Sequence, residues 1–205
     1  MKIVDTLSLS LSLAPCYKLF RFLVLRDGTP RTLVRDYFKP FPGAKILDIG
    51  CGPADILNHL ENVRYTGIDH SAKYIDSAKK RFGNRGRFLC GDLGGISIEA
   101  EHGTFDLVIA IGVLHHLNDD QAIGLFDLAR HALKPTGRLL TYDGCYLPGQ
   151  SRIARWLLSK DRGKFVRTRL EYERLASARF SNLESHLRDD LLRIPYSHTI
   201  MCCSN

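Results

Sequence analysis

From residue 45 to residue 142 short apolar runs alternate with helical patterns, and this alternation limits the possible folds more than any other feature of the chain. The runs cover 45–49, 65–69, 87–90, 105–110 and 138–142, and each is nearly continuous in apolar residues, as strands covered on both faces must be. Ser71 reads as the N-cap of a helix beginning at 72. Asp119 or Asp120 reads as the cap of the next helix, which Pro135 and Gly137 stop. Strand, crossover helix, parallel strand is the resulting unit, so the pattern predicts an α/β, doubly wound, mostly parallel sheet.

Two further regions flank this core. Upstream, 14–25 and 29–38 read as amphipathic helices, the second with Thr29 as cap and Pro30 in first position. Downstream come two basic helical stretches at about 151–160 and 168–178, then two extended runs around a polar turn that predict an antiparallel hairpin closing the sheet edge. With 205 residues and 44% apolar content the expectation is one domain: N-terminal helices at 1–40, a ligand-binding core at 41–145, a basic insertion at 146–179 and a hairpin at 180–205.

Composition narrows the setting. No apolar run reaches the roughly 20 residues of a membrane span, and the first residues carry one lysine, an early aspartate and serines that dilute any leader-like core, so a cytoplasmic protein is expected. The six cysteines form no regular framework and read as reduced, mostly buried thiols. Neither CxxC nor HExxH occurs, so no metal site is expected. The net charge is +7, and residues 151–179 hold nine basic residues against three acidic ones, nearly all of the excess.

The glycine turn "DIGCGPA" follows the first run. It lacks the third glycine of GxGxxG and the GK[ST] ending of a phosphate loop. Asp48, two residues before Gly50, would repel a pyrophosphate at that turn and would bind an ammonium group. Asp69 ends the next strand about 20 residues later, where an acid takes ribose hydroxyls. Asp92, after the third run, is placed to accept from an adenine amino group. A cationic amino-acid end, a ribose and an adenine together describe S-adenosylmethionine.

At this point the chain resembles the class I S-adenosylmethionine-dependent methyltransferases. "ILDIGCGPA" is similar to their first motif, "YTGIDHS" to the acid of their second strand, "FLCGDL" to their adenine-facing turn, "FDLVIAIGVLHHL" to their fourth strand and "LKPTGRLLTYD" to their fifth. The resemblance implies a seven-stranded sheet with the last strand antiparallel, and contact with the cofactor by Asp48, Gly50, Cys51, Gly52, Asp69, His70, Asp92, Leu93 and Ile111. For catalysis it directs attention to the loop after the fourth strand, where His115 points at cofactor or acceptor while His116 braces the loop. Asp143 and Tyr146, at the end of the fifth strand, are the next candidates for base or acceptor binding. The alternative is that both histidines are structural.

The same resemblance excludes some acceptors. "AIGVLHHL" carries neither the D/N-P-P-Y/F motif of base-amine methyltransferases nor the Pro-Cys of cytosine-carbon enzymes, and Ile111, Gly112 and Val113 supply no acid for the magnesium of catechol-type enzymes. The expected acceptor is a small or lipid-linked, anionic metabolite, such as a cell-envelope or glycan precursor, and no nucleic acid. Ile153, Trp156, Leu157 and Lys160 share one helical face beside Arg152, Arg155 and Arg162, an arrangement that suits such an acceptor or peripheral contact with an acidic membrane. A core-packing helix with arginines reaching past it is the plainer reading. An RNA methyltransferase would use the same charges as a phosphate groove, with only Phe165, Tyr172 and Phe180 to stack bases. A non-catalytic module keeping the pocket is a third reading.

Overall fold

The computed structural model describes residues 28–91, 102–161 and 163–205. The expected helix at 14–25, Cys16, Asp92, Leu93 and Arg162 lie outside them.

One sheet organises the chain, in the order β3-β2-β1-β4-β5-β8-β7. β1 (Lys45–Ile49), β2 (Arg64–Asp69), β3 (Gly86–Cys90), β4 (Phe105–Ile111) and β5 (Leu133–Tyr146) are parallel. β8 (His198–Ser204) runs antiparallel between β5 and β7 (Asn182–Arg188), which makes the seven-stranded path with an antiparallel last strand. The two-residue β6 (Arg167–Thr168) lies off this path, beside the end of β5.

The alternation of the strands builds two cores. Leu47, Ile49, Val108 and Leu139 face one way, against α3 (Asp119–Ala132) and α5 (Arg169–Ser177) through Leu125, Phe126, Ala129, Tyr172 and Leu175. Ile46, Leu107, Ile109 and Leu140 face the other, against α2 (Ala72–Phe82) through Ile75, Ala78 and Phe82, and against Leu33 and Phe38. Each such Leu, Ile or Phe contributes about 1.5–3 kcal/mol by leaving water, and Arg138 donating to Phe38 O and Tyr172 donating to Gly144 O add polar ties between sheet and helical layers.

Local signals decide the ends, with three differences from the sequence reading. Ser71 caps α2 as expected, accepting from the Tyr74 amide. Asn118, not Asp119 or Asp120, caps α3: its side chain accepts from Gln121 N while the Gln121 side chain accepts from Asn118 N. Asp119 is instead paired with Arg167. Thr29 is not a cap either. Gly28 occupies that position before the short α1 (Thr29–Thr32), and the Thr29 hydroxyl donates to Leu191 O at 2.5 Å. After β1 the chain forms a five-residue 3₁₀ turn, Asp55–His59. β5 is longer than its apolar run because β8 and β6 extend its pairing as far as Tyr146.

The capping box predicts that Asn118→Ala lowers the urea-unfolding free energy by about 1 kcal/mol, while Asp120→Ala changes it by only a few tenths.

Candidate active site

The strand order reverses between β1 and β4, and in open α/β sheets the carboxyl ends of the strands at such a point face the ligand. The glycine turn forms one wall. Gly50 N and Cys51 N both donate to Ile68 O, at 2.8 and 2.9 Å, turning the chain back over β2. Gly50 has φ +71°, and a Cβ there would stand 2.6 Å from Val113 Cγ2, so only glycine lets the loop after β4 close against the turn. Gly52, at φ +54°, has nothing within 4 Å of the same position, and the space beside it is open.

Two carboxylates frame that space. Asp69 accepts from Gly52 N at 2.9 Å through Oδ2 and from Ser71 N at 2.8 Å through Oδ1, fastening the turn to the end of β2. The exposed His70 imidazole lies 3.6 Å from the same carboxylate. Asp48 is buried; Tyr65 donates its hydroxyl to Oδ2 at 2.5 Å, and Oδ1 has no hydrogen-bond partner among the described residues. Burial raises the Asp48 pKa to about 7, the Asp69 charge adds to this, and the Tyr65 hydrogen bond opposes it. Cys51 is a buried free thiol whose pKa burial also raises. Ile111 packs beside the core that holds Tyr142.

The other wall carries the histidines, on the 3₁₀ turn Leu114–His116. His115 Nδ1 lies 2.8 Å from Asp143 Oδ1, the same oxygen accepts from the His115 backbone N at 3.2 Å, and Asp143 is 1% exposed. A buried carboxylate at Nδ1 fixes a proton there and leaves Nε2 as the ring's other polar atom. Nε2 in turn lies 3.4 Å from Asp161 Oδ1. Burial disfavours the imidazolium, but the Asp143 hydrogen bond and the charges of Asp143 and Asp161 outweigh it, so the His115 pKa is raised. His116 is exposed, yet its ring centroid is 4.2 Å from that of His115, so burial and partners distinguish the pair rather than opposite directions. Tyr146 sits apart, beneath the Arg155 guanidinium at 5.4 Å.

Asp161, Gly163 and Phe165 cover His115. Phe165 N donates to His115 O at 2.9 Å, and a Cβ at Gly163 would lie 2.0 Å from His115 Cδ2. Arg167 rivets the cover, donating to Leu114 O, Leu117 O, Phe165 O and the Asp119 carboxylate at 2.7–3.1 Å. From β8's side Tyr196 donates its hydroxyl to Asp161 Oδ2 at 2.5 Å, and its ring leans on His198, which stacks on Tyr142 with centroids 4.4 Å apart. Burial and the neighbouring His115 charge push the His198 pKa down to about 3, so this second histidine is neutral.

Of the residues singled out in the sequence, the structure pairs His115 with Asp143 and sets Asp69 against the glycine turn, while Asp48 is held by Tyr65; Tyr65, Asp161, Arg167 and Tyr196, which hold these groups or their cover, were not singled out for the site. Arg167, counted in the basic insertion, is buried and paired with Asp119, while the partly exposed Arg169 and Arg179 pair with Glu173 and Asp127. The i,i+4 spacing of Arg169 and Glu173 is readable along the chain, whereas the partners of Arg167 and Arg179 are about 50 residues away.

The chain matches the family model described as a methyltransferase domain over residues 46–137. It is 32% identical over 105 residues to the probable tRNA methyltransferase 9B of Homo sapiens, covering 49% of this chain and 21% of that protein. It is 30% identical over 151 residues to the mitochondrial ubiquinone biosynthesis O-methyltransferase of Schizosaccharomyces pombe, covering 68% and 50%. The chain thus spans half or less of the length of these relatives. Its fold is shared with phosphoethanolamine N-methyltransferase 2 of Haemonchus contortus, solved with phosphomonomethylethanolamine and S-adenosylhomocysteine: TM-score 0.75, 16% identity, 100% of this chain and 61% of that one.

Because Asp161 is one of two carboxylates holding the His115 proton, Asp161→Asn should lower the His115 titration midpoint in an NMR pH series while leaving His198 neutral throughout. An unmoved midpoint would mean that Asp161 is screened from the ring.

Proposed function

The chain carries a class I, S-adenosylmethionine-dependent methyltransferase domain, and from that we propose that it transfers the cofactor's methyl group to a small or lipid-linked, anionic acceptor whose nucleophile is presented to His115. The observation that carries the second part is the His115–Asp143 pair, an imidazole oriented by a buried carboxylate at the mouth of the cofactor crevice.

The residues present fit the cofactor. Asp48 Oδ1 is a buried oxygen lacking a partner, suited to the ammonium of the amino-acid end, the open space beside Gly52 admits a ligand backbone, and Asp69 has acceptor capacity left for ribose hydroxyls. Bound there, S-adenosylmethionine supplies an electrophilic methyl on a sulfonium. The remaining work is alignment and, for a hydroxyl acceptor, removal of a proton. His115 Nε2 takes that proton while Asp143 holds Nδ1–H and stabilises the imidazolium, the division of labour familiar from Asp-His pairs elsewhere. For the acceptor to reach Nε2 it must replace Asp161, so the resting contact marks where the nucleophile goes.

An anionic acceptor is supported by the exposed Lys164 on the cover and by the phosphorylated ligand of the Haemonchus neighbour. The fission-yeast relative, named for ubiquinone biosynthesis, favours a lipid-linked or hydroxyl acceptor. The human relative is named for tRNA, and RNA therefore belongs in the test.

Two experiments follow. Incubation with labelled cofactor and an extract separated into small molecules, lipids and RNA should place label in one of the first two, and His115→Ala should slow that transfer roughly 100-fold with cofactor affinity nearly unchanged. Label in RNA alone would overturn the acceptor class, and an active His115→Ala would overturn the base. The second test concerns Asp48. With its pKa near 7 in the folded protein, the carboxylate that receives the ammonium exists only above that value. Affinity for S-adenosylhomocysteine should therefore rise about tenfold from about pH 6 to about pH 8 and release a proton, and Asp48→Asn should flatten the profile. The same raised pKa means that the native state holds this proton more tightly than the unfolded chain. Its contribution to stability is accordingly present at acid pH and lost as pH rises through about 7.

A further inference from the structure

We propose that α4 (Arg152–Ser159) is a docking element for an anionic lipid bilayer, which it meets through Ile153 and Trp156 with Arg152, Arg155 and Lys160 around them. The proposal deepens the acceptor reading above and rests on it for its purpose, but not for its evidence.

The helix is anchored on one side only. Ala154 and Leu158 are buried against the body of the protein, whereas Ile153 is 63% and Trp156 57% exposed. A core-packing helix would have turned these two inward. They stand three residues apart and so share a face, and Arg152, Arg155 and Lys160 are exposed beside them. α4 contains no acidic residue. The next acid in the chain, Asp161, is turned inward to His115 and Tyr196. The outer surface of the helix is therefore apolar and cationic, with no acid of its own among the described residues 152–160.

That combination matches a bilayer surface better than other partners. Tryptophan settles at the headgroup level, isoleucine enters the acyl boundary, and arginine and lysine meet lipid phosphates. A protein partner needs about 800 Å² from each side, far beyond one two-turn helix. RNA would need cations continuing along a groove, but Arg167, Arg169 and Arg179 are engaged with Asp119, Glu173 and Asp127, and Ile153 offers nothing to a phosphate or a base. Position adds a reason. α4 follows the carboxyl end of β5, where the Gln150 amide ties the connection to Cys145 O and Ser197 Oγ. Docking through α4 brings the crevice and its His115 wall close to the lipid surface, where a lipid-linked acceptor is held.

Trp156 is the only tryptophan in the chain, so its emission reports the contact directly. The full chain should sediment with vesicles containing phosphatidylglycerol, with a blue shift of Trp156 emission, and should not sediment with pure phosphatidylcholine vesicles. Added salt should weaken the binding. Ile153→Ser, and separately Arg152→Gln with Arg155→Gln, should each lower the vesicle partition coefficient at least tenfold, while affinity for S-adenosylhomocysteine, measured as proof of folding, stays within about twofold. No shift with either vesicle, equal binding to both, or a shift with tRNA but not with anionic vesicles would overturn the proposal. Turnover is not read in this experiment, so a wrong acceptor class leaves its result unchanged.

Discussion

A sheet covered on both faces has little room in its middle for charged side chains, and the rest of this structure follows from that constraint. Strand interiors are therefore mostly Ile, Leu, Val and Ala, with Thr66, Thr141 and Thr199 among them, and the carboxylates collect toward the strand ends. At the carboxyl ends of β1, β2 and β5 stand Asp48, Asp69 and Asp143, and just beyond β4 stands His115. Because the strand order reverses between β1 and β4, these ends lie where open α/β sheets face a ligand, and they carry the groups that the sheet could not bury elsewhere.

The carboxylates differ in how they are satisfied, and those differences set their chemistry. Asp69 has two backbone amides and serves as a fastener with spare acceptor capacity. Asp48 has one tyrosine hydroxyl and one oxygen with no partner among the described residues, and burial raises its pKa to about 7. Asp143 spends one oxygen on both the ring and the backbone of His115. Asp161 is the exception in origin: it comes from the cover, not the sheet, and it meets the other nitrogen of the same ring. His115 is thus oriented from below by the sheet and guarded from above by a segment that Arg167 and Tyr196 hold in place.

What could be read in the sequence was what depends on neighbours along the chain. The apolar runs gave the strands, the Asp48–Gly50–Gly52 spacing gave the turn, and Ser71 gave a cap, because each of these is a local preference with one dominant physical cause. The missed features are contacts at long separation. Arg167 reaches Leu114 and Leu117 across about 50 residues, Tyr196 meets Asp161 across 35, and nothing in "FVRTR" or "IPYSH" marks either residue. The caps of α1 and α3 moved for the same reason. Thr29 and Asp119 both have distant partners, Leu191 and Arg167, that outweigh their local preference. The basic segment shows the limit of counting charge: of its nine basic residues, Arg167, Arg169 and Arg179 are paired with Asp119, Glu173 and Asp127.

At the centre of this account is the partnerless oxygen of Asp48 as the seat of the cofactor's ammonium group. Calorimetric comparison of S-adenosylhomocysteine with its analogue lacking the amino group, near pH 8, tests it directly. Loss of a charge-assisted hydrogen bond at a buried carboxylate should weaken the analogue at least tenfold, about 1.4 kcal/mol or more. Equal affinity for the two ligands would contradict the account, since Asp48 would then be a buried acid with no ligand to satisfy it.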